Sequence, residues 1–406
     1  MANRFYWRLI TTSRNGLLVS SKSAQCISGF SRHHSSASSA SVSADEVSHF
    51  SALASSWWDP MGPSRVLHLM NPLRHDFIAS CLADSHPLGQ GSTNSTHHPV
   101  GDTSQTDKHN HTTTTNNGLR YLDVGCGGGI FAESLARTIP VGSSSKSTLT
   151  AANAASVLAI DPSSTLIRIA QEHGRIDPTV YAHLCSGHFR YENTTIEALT
   201  SQSMKHGNDS RIADRSSSSL SFDVITLFEV LEHVDPETSS PLSFLMHCLQ
   251  LLRPGGWLIG STIARTLPSF LVNKVVAEAP WPVGVVPRGT HEWSKFVNAD
   301  ELKGWVEEGL IKAENEASIR SGSEALEGMR WKCTGVVYVP GLGWKMANGG
   351  ENWGNYFWAV RKRPWIGTGI CCSFTLSLFL CLKSLMPWCS SFLEIYVCLC
   401  ERALVL

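Results

Sequence analysis

Tyr121-Leu122-Asp123-Val124-Gly125-Cys126-Gly127-Gly128-Gly129 is a short apolar run that breaks into glycine, and Ile130–Thr138 behind it has a helical apolar pattern. A strand, a glycine turn and a helix in that order open a unit of alternating strands and helices. Glycine lets the backbone turn sharply and approach a ligand closely. The loop amides and the start of the helix then face that ligand. The string alone leaves the ligand open. Read from Gly127, the same residues give G-x-G-x-x-A ending at Ala132, a pattern that a nicotinamide cofactor could also use.

Two features downstream narrow the choice. Val157-Leu158-Ala159-Ile160-Asp161 is a second strand ending on an acid, placed to take two ribose hydroxyls through paired hydrogen bonds. Leu251-Leu252-Arg253-Pro254-Gly255-Gly256 is a helix end and turn leading into a later strand. Dehydrogenases rarely carry that turn; class I methyltransferases commonly do. The three features together point to S-adenosylmethionine. Transfer of its methyl group needs no metal or base in principle. It needs nucleophile, carbon and sulfur in line, with the reacting atoms about 3–3.5 Å apart. A phenol nucleophile, of pKa near ~10, must also lose a proton.

Working outward, strands are expected at Leu119–Val124, Val157–Ile160, Phe189–Tyr191, Phe222–Leu227 and Trp257–Thr262. Helices are expected at Ser163–His173, Pro241–Leu252 and Ala299–Glu308, with Gly335–Val339 and Asn355–Arg361 as a terminal antiparallel pair. Upstream, one helix spans Asp45 to Trp58 and a second starts at Pro72 or Leu73 and ends near Leu82. Strands alternating with helices at this spacing predict an α/β fold with a doubly wound, Rossmann-like sheet of seven strands, the class I S-adenosylmethionine methyltransferase architecture.

The domain is expected over residues 45–363, with polar inserts near 84–118, 141–155 and 201–220 too poor in apolar residues to offset their ordering entropy. Residues 1–44 hold Arg4, Arg8, Arg14, Lys22 and Arg32 among serines and no acid, which is the composition of a mitochondrial transit peptide. From Pro364 the chain turns apolar and cysteine-rich. Three readings fit residues 364–406: a membrane anchor, a helix lying on the sheet, or sequence past the natural end of the gene. The apolar run Ile366–Leu382 is marginal for a bilayer core of about 30 Å. At 406 residues, 42% of them apolar, the chain can bury a large core. Its net charge of −1 offers no basic field for nucleic acid. The 12 cysteines show no CxxC spacing, which argues against a zinc site or a disulfide scaffold.

Several further motifs occur in one order: Ser56-Trp57-Trp58-Asp59-Pro60, Met70-Asn71-Pro72-Leu73-Arg74, the glycine loop, Phe228-Glu229-Val230-Leu231-Glu232-His233-Val234, Leu251–Gly256 and Pro287-Arg288-Gly289-Thr290-His291-Glu292-Trp293. This series strongly resembles the ubiquinone biosynthesis O-methyltransferase family of mitochondrial type, the 3-demethylubiquinol and polyprenyl-dihydroxybenzoate O-methyltransferases. The match covers about residues 47–363 apart from the inserts. Its specific parts are the tryptophan pair and Asn71–Arg74; the glycine loop and Leu231–His233 are shared far more widely.

The resemblance implies methylation of a catechol hydroxyl on a polyprenylated ring, at two steps of one pathway. It implies S-adenosylmethionine contacts at Arg74, Gly125, Asp161 and Phe228. A guanidinium at Arg74 could clamp the methionine carboxylate bidentately. It also implies a divalent metal, Mg²⁺, at Glu229, Glu232 and His233. On a helical turn those positions share one face. Glu232, His233 and His291 are the candidates for proton transfer. Implied partners are the polyprenylated catechol, other enzymes of ubiquinone biosynthesis, and inner-membrane lipid on the matrix side, bound peripherally. Leu267–Arg288 is apolar but interrupted by Lys274, Arg288 and prolines, so it suits an interface rather than a span, with Trp281 at headgroup depth. Three rivals remain at this stage: a methyltransferase for another phenol, a non-catalytic assembly subunit, and a nicotinamide dehydrogenase.

Overall fold

The computed structural model describes residues 41–85, 118–140, 152–209, 220–235, 239–280, 284, 286, 289–317, 326–339 and 341–364. The transit-peptide expectation to residue 40, the inserts over 86–117, 141–151 and 210–219, Trp281 and Arg288, and the tail from 365 lie outside these residues.

Five strands run parallel: β1 (Leu119–Val124), β2 (Ala154–Asp161), β3 (Phe189–Asn193), β4 (Phe222–Phe228) and β5 (Leu252–Ile263). Three more are antiparallel: β6 (Arg330–Val339), β7 (Gly343–Ala347) and β8 (Asn355–Arg361). They form one sheet in the order β3-β2-β1-β4-β5-β8-β6-β7. The sheet therefore has eight strands where seven are expected. The extra one, β7, is the return arm of a hairpin on β6. Its sequence alternates weakly and sits at the sheet edge, so no apolar run announces it.

β1 and β4 are apolar on both faces because both faces are covered. On one face pack α2 (Arg65–Ala83), α3 (Ile130–Ala136), α4 (Ser164–Gly174) and α5 (Pro178–Ser186), through Phe77, Leu135, Ile167 and Val180. On the other pack α6 (Ile196–Asp209), α7 (Pro241–Leu251) and α9 (Ala299–Ala317), through Leu199, Leu245 and Leu302. Helix α1 (Ala44–Leu53) carries no fully buried residue of its own. A short helix, α8 (Leu267–Ser269), continues as a π-helical stretch over Phe270–Val276.

Four boundaries depart from expectation. Helix α2 starts at Arg65, seven residues before Pro72, which lies inside it. Proline favours a helix start, but buried Met70 and the Trp344 Nε1 bond to Val66 O (2.8 Å) hold the preceding turns in place. Helix α6 runs to Asp209, into the insert expected from 201; its first turns bury Ile196 and Leu199, and Ser201, Gln202, Met204 and Lys205 beyond them are exposed. The domain reaches back at least to Ser41, which is buried and accepts from Asp235 N (2.8 Å). Arg253–Gly256 is a register shift within β5 rather than a turn before it.

The chain runs outward from β1 to β2 and β3, then returns to β4 on the other side of β1. That reversal leaves a crevice at the carboxyl ends of β1 and β4, where open α/β sheets bind ligands.

Candidate active site

The crevice deepens into a cavity of about 550 Å³, within the range of small-ligand sites. Arg74, Gly125, Asp161, Phe228, Glu229, Glu232, His233 and His291 all line it. The structure thus brings together the residues expected to bind cofactor, hold a metal or transfer a proton.

The glycine loop forms one wall. Gly125 and Gly127 have φ of 70° and 55°, a left-handed backbone that favours glycine. The Gly125 and Cys126 amides donate to Ile160 O (2.9 and 3.0 Å), tying the loop to the end of β2. A Cβ on Gly127 would lie 2.6 Å from Trp57 Cζ2, so the indole needs the bare backbone. Its neighbour Trp58 donates Nε1–H to Gly128 O (2.9 Å) and stacks on His173 with centroids 3.4 Å apart. The tryptophan pair is therefore a clamp on the glycine loop.

Asp161 stands at the tip of β2. Its Oδ2 accepts from Gly127 N (2.9 Å) and its Oδ1 from Ser163 N (2.8 Å). Burial pushes its carboxyl up to about 6, against the pull of those two donors. Each oxygen keeps a second lone pair, so two further donors can be accepted. Asp123, at the end of β1, also lines the cavity. It is buried, accepts from Thr226 Oγ1 (2.7 Å) and is pushed up by burial to about 7.

Arg74 projects from α2 and is 3% exposed. Its Nη1 donates to Asn71 Oδ1 (3.0 Å), and its guanidinium lies 4.9 Å from the Phe228 ring centroid. Among the described residues it makes no ion pair, and its buried Nε has no partner. Burial lowers its pKa, while Glu229, Asp123 and Glu232 pull the other way. A buried guanidinium without a carboxylate contact is costly and suits an incoming anion.

The acidic turn after β4 does not have the shape expected of it. Glu229 takes φ 57°, and only Leu231–His233 form a single 3₁₀ turn. An α-helical turn that would stack Glu229, Glu232 and His233 on one face does not form. Each is engaged separately. Glu229 Oε1 accepts from Ser261 Oγ (2.6 Å) and Oε2 from Asn355 Nδ2 (3.3 Å). Glu232 Oε2 accepts from Thr262 Oγ1 (2.8 Å). Burial and the nearby Glu229 carboxylate push Glu232 up to about 8. His233 Nδ1 lies 3.3 Å from Glu46 Oε2. Burial opposes its charged form, yet Glu46 and Glu232 raise its pKa on balance. Two carboxylates and an imidazole are suitable donors for a dication. As arranged they do not converge, and among the described residues no group of three His, Cys, Asp or Glu is placed to hold a metal ion.

His291 closes the cavity from a loop ordered by Glu278. That carboxylate accepts from the Gly289 and His291 amides (2.9 and 2.8 Å) and from Lys274 Nζ (3.0 Å). Lys274 also donates to His291 O (2.6 Å). The His291 Nδ1 lies 3.3 Å from Glu278 Oε1. Burial lowers the His291 pKa, so the imidazole is neutral at neutral pH. The rest of the lining is largely apolar, with Val272 and Val276 from the π-helical stretch and Val336 and Trp344 from the hairpin.

The chain also matches known proteins in sequence. The methyltransferase domain family matches residues 104–309. The mitochondrial ubiquinone biosynthesis O-methyltransferase of Candida albicans is 32% identical over 79% of this chain and 86% of its own length. That of Schizosaccharomyces pombe is 33% identical, covering 66% and 72%. A ubiquinone biosynthesis O-methyltransferase of Cereibacter sphaeroides is 32% identical, covering 65% and 81%. The chain belongs to the ubiquinone biosynthesis O-methyltransferase family.

It is an S-adenosylmethionine-dependent O-methyltransferase, which removes the dehydrogenase and the non-catalytic subunit from the readings. Its eukaryotic relatives in this comparison are mitochondrial, and so is this member. Residues that the sequence does not single out also meet at the site: Glu46 from α1, Asp123 from β1, and Ser261, Thr262 and Asn355 from β5 and β8. A weak signal existed only for Asp123, the acid directly before the glycine loop. The others become visible only when strands far apart in sequence pair.

Proposed function

We propose that this methyltransferase transfers a methyl group to a catechol hydroxyl of a polyprenylated ring, in ubiquinone biosynthesis, at the matrix face of the mitochondrial inner membrane. The observation that carries the reading is the cavity's division of labour. One cavity is lined by a glycine loop with two acids, Asp123 and Asp161, by the titratable Glu232 and His291, and by apolar side chains such as Val272, Val276 and Val336.

In this reading the spare lone pairs of Asp161 take the two ribose hydroxyls, and Arg74 takes the methionine carboxylate. Gly125 and Phe228 line the cofactor between them. The catechol oxygen attacks the methyl carbon as the carbon–sulfur bond breaks, and its proton passes to a protein base. At neutral pH His291 is the competent acceptor, because burial keeps it neutral. Glu232, pushed up to about 8, holds a proton there until the cationic sulfonium lowers it.

A divalent cation at Glu229, Glu232 and His233 is the finer part of the proposal. One buried and one half-buried carboxylate in one pocket are what a cation would relieve. It requires His233 to leave Glu46, and Glu229 to bind through the carboxylate lone pairs that Ser261 and Asn355 leave free. No proton step above runs through it. Association with other enzymes of ubiquinone biosynthesis is a further part of the proposal.

The test is incubation of the full chain with methyl-labelled S-adenosylmethionine and a short-chain prenyl catechol. Label is expected in a methyl ether on one catechol oxygen, and transfer to simple phenols but not to the catechol would point to another phenol instead. Stripping metal with EDTA is expected to lower turnover, with recovery on adding Mg²⁺ and no change in cofactor affinity. Full activity after chelation would remove the metal and leave the proton to His291 alone.

A further inference from the structure

Glu229 is one of two non-glycine residues with positive φ among the described residues, at 57°. A side chain there is strained, and such positions collect at functional sites. Glycine or asparagine would occupy it more cheaply. What stabilises the conformation is Ser261, directly across from Phe228 in the β4–β5 pairing. The Glu229 amide donates to Ser261 O (3.3 Å) and to Ser261 Oγ (3.0 Å), and Ser261 Oγ donates back to Glu229 Oε1 (2.6 Å). From β8, Asn355 Nδ2 donates to the other carboxylate oxygen (3.3 Å). Ser261 is 1% exposed and Asn355 8%, so neither is a surface accident.

We propose that Ser261 and Asn355 are positioning residues, which together aim the Glu229 carboxylate into the catechol end of the cavity. Both carboxylate oxygens are then fixed from strands of the rigid sheet, while the backbone is bent to present them. This inference rests on the catechol reading for what Glu229 does, but the positioning itself is separable from it. Neither residue reaches the glycine loop or Asp161, so the cofactor should not sense their loss.

The experiment is a double-mutant cycle on the full chain. Ser261→Ala with Asn355→Ala is expected to lower kcat at least tenfold, with affinity for S-adenosylhomocysteine within twofold of wild type by calorimetry. In a Glu229→Gln background the same pair should cost less than a further twofold, since residues acting through one group are not additive. Unchanged kcat in the first case, or an equal loss in the second, overturns the proposal. Each single variant, Ser261→Ala and Asn355→Ala, repeats the cycle if the pair folds poorly. A wild type that binds cofactor but turns over no prenyl catechol would sink the substrate reading. The positioning is then read from a crystal structure of the paired variant, where Glu229 is expected to swing away from β5. A carboxylate left in place there overturns the inference.

Discussion

Asp161, Asp123 and Glu232 are buried carboxylates facing one cavity, and burial pushes them up to about 6, 7 and 8. Folded pKa values above the ordinary carboxylate range have a definite consequence for stability. The contribution of such groups is fully present below their unfolded values near ~4 and is lost as pH rises through 6 to 8. Cofactor-free protein should therefore melt at least about 3 °C lower at pH 8.5 than at pH 6, measured by calorimetry. Binding has the opposite sign at Asp161. The carboxylate must be ionised to accept two ribose hydroxyls, so affinity for S-adenosylhomocysteine should fall as pH drops through about 6. Asp161→Asn should weaken it at least tenfold at pH 7.5 and flatten that pH dependence. An affinity indifferent to both changes would take the ribose away from Asp161.

Helix α1 shows how an element without a core of its own can complete a site. Val47, Phe50 and Leu53 turn towards the cavity, yet no residue of the helix is fully buried. Polar contacts fasten it: Glu46 to Lys295 Nζ (2.9 Å) and His233 Nδ1 (3.3 Å), and Ser51 Oγ to Ser163 Oγ (2.8 Å). Burial works against the Glu46 charge, but those two partners hold its pKa down to about 2. Glu46→Gln should loosen the helix, raising hydrogen exchange over Ala44–Leu53 and speeding S-adenosylhomocysteine release severalfold, and should lower the melting temperature at neutral pH. Unaltered exchange and release would make α1 a static wall. None of this was legible in the sequence, where Asp45 and Glu46 read only as acids opening a helix. The parallel strands and the acid Asp161 at the end of β2 were legible, because apolar runs and glycine turns report local backbone. The partners of Glu46 and Glu229 were not, because they arrive from elements remote in the chain. The acidic turn was misread for a related reason. Residue spacing suggested a helix face, and the bond network around Ser261 decided otherwise.

For the molecule as a whole, the question is how a polyprenyl chain enters a cavity of about 550 Å³. Among the described residues no helix is long and apolar enough to cross a membrane. The π-helical stretch is the natural candidate. Val272 and Val276 line the cavity and are also 50% exposed, which puts them at its mouth. Leu271 and Val275, one position earlier in each turn, are 50% and 51% exposed and do not line it. Leu267 at 70% and Trp293, edge-on to Phe270 at 6.1 Å, extend the same apolar surface. Apolar side chains clustered at the mouth of an apolar cavity suit a face that dips into an interface. Burying a leucine or valine there is worth roughly 1.5–3 kcal/mol each, so charging both should be decisive. Leu271→Glu with Val275→Glu is expected to cut partition into phosphatidylcholine vesicles containing anionic lipid at least tenfold. Affinity for S-adenosylhomocysteine and kcat on a soluble short-chain catechol should stay within twofold, since neither residue faces the cavity. The KM for a long-chain substrate presented in vesicles should rise in step with the lost partition. If partition is unchanged, the substrate reaches Val272 and Val276 from water or from a protein partner, and the membrane has no part in its entry.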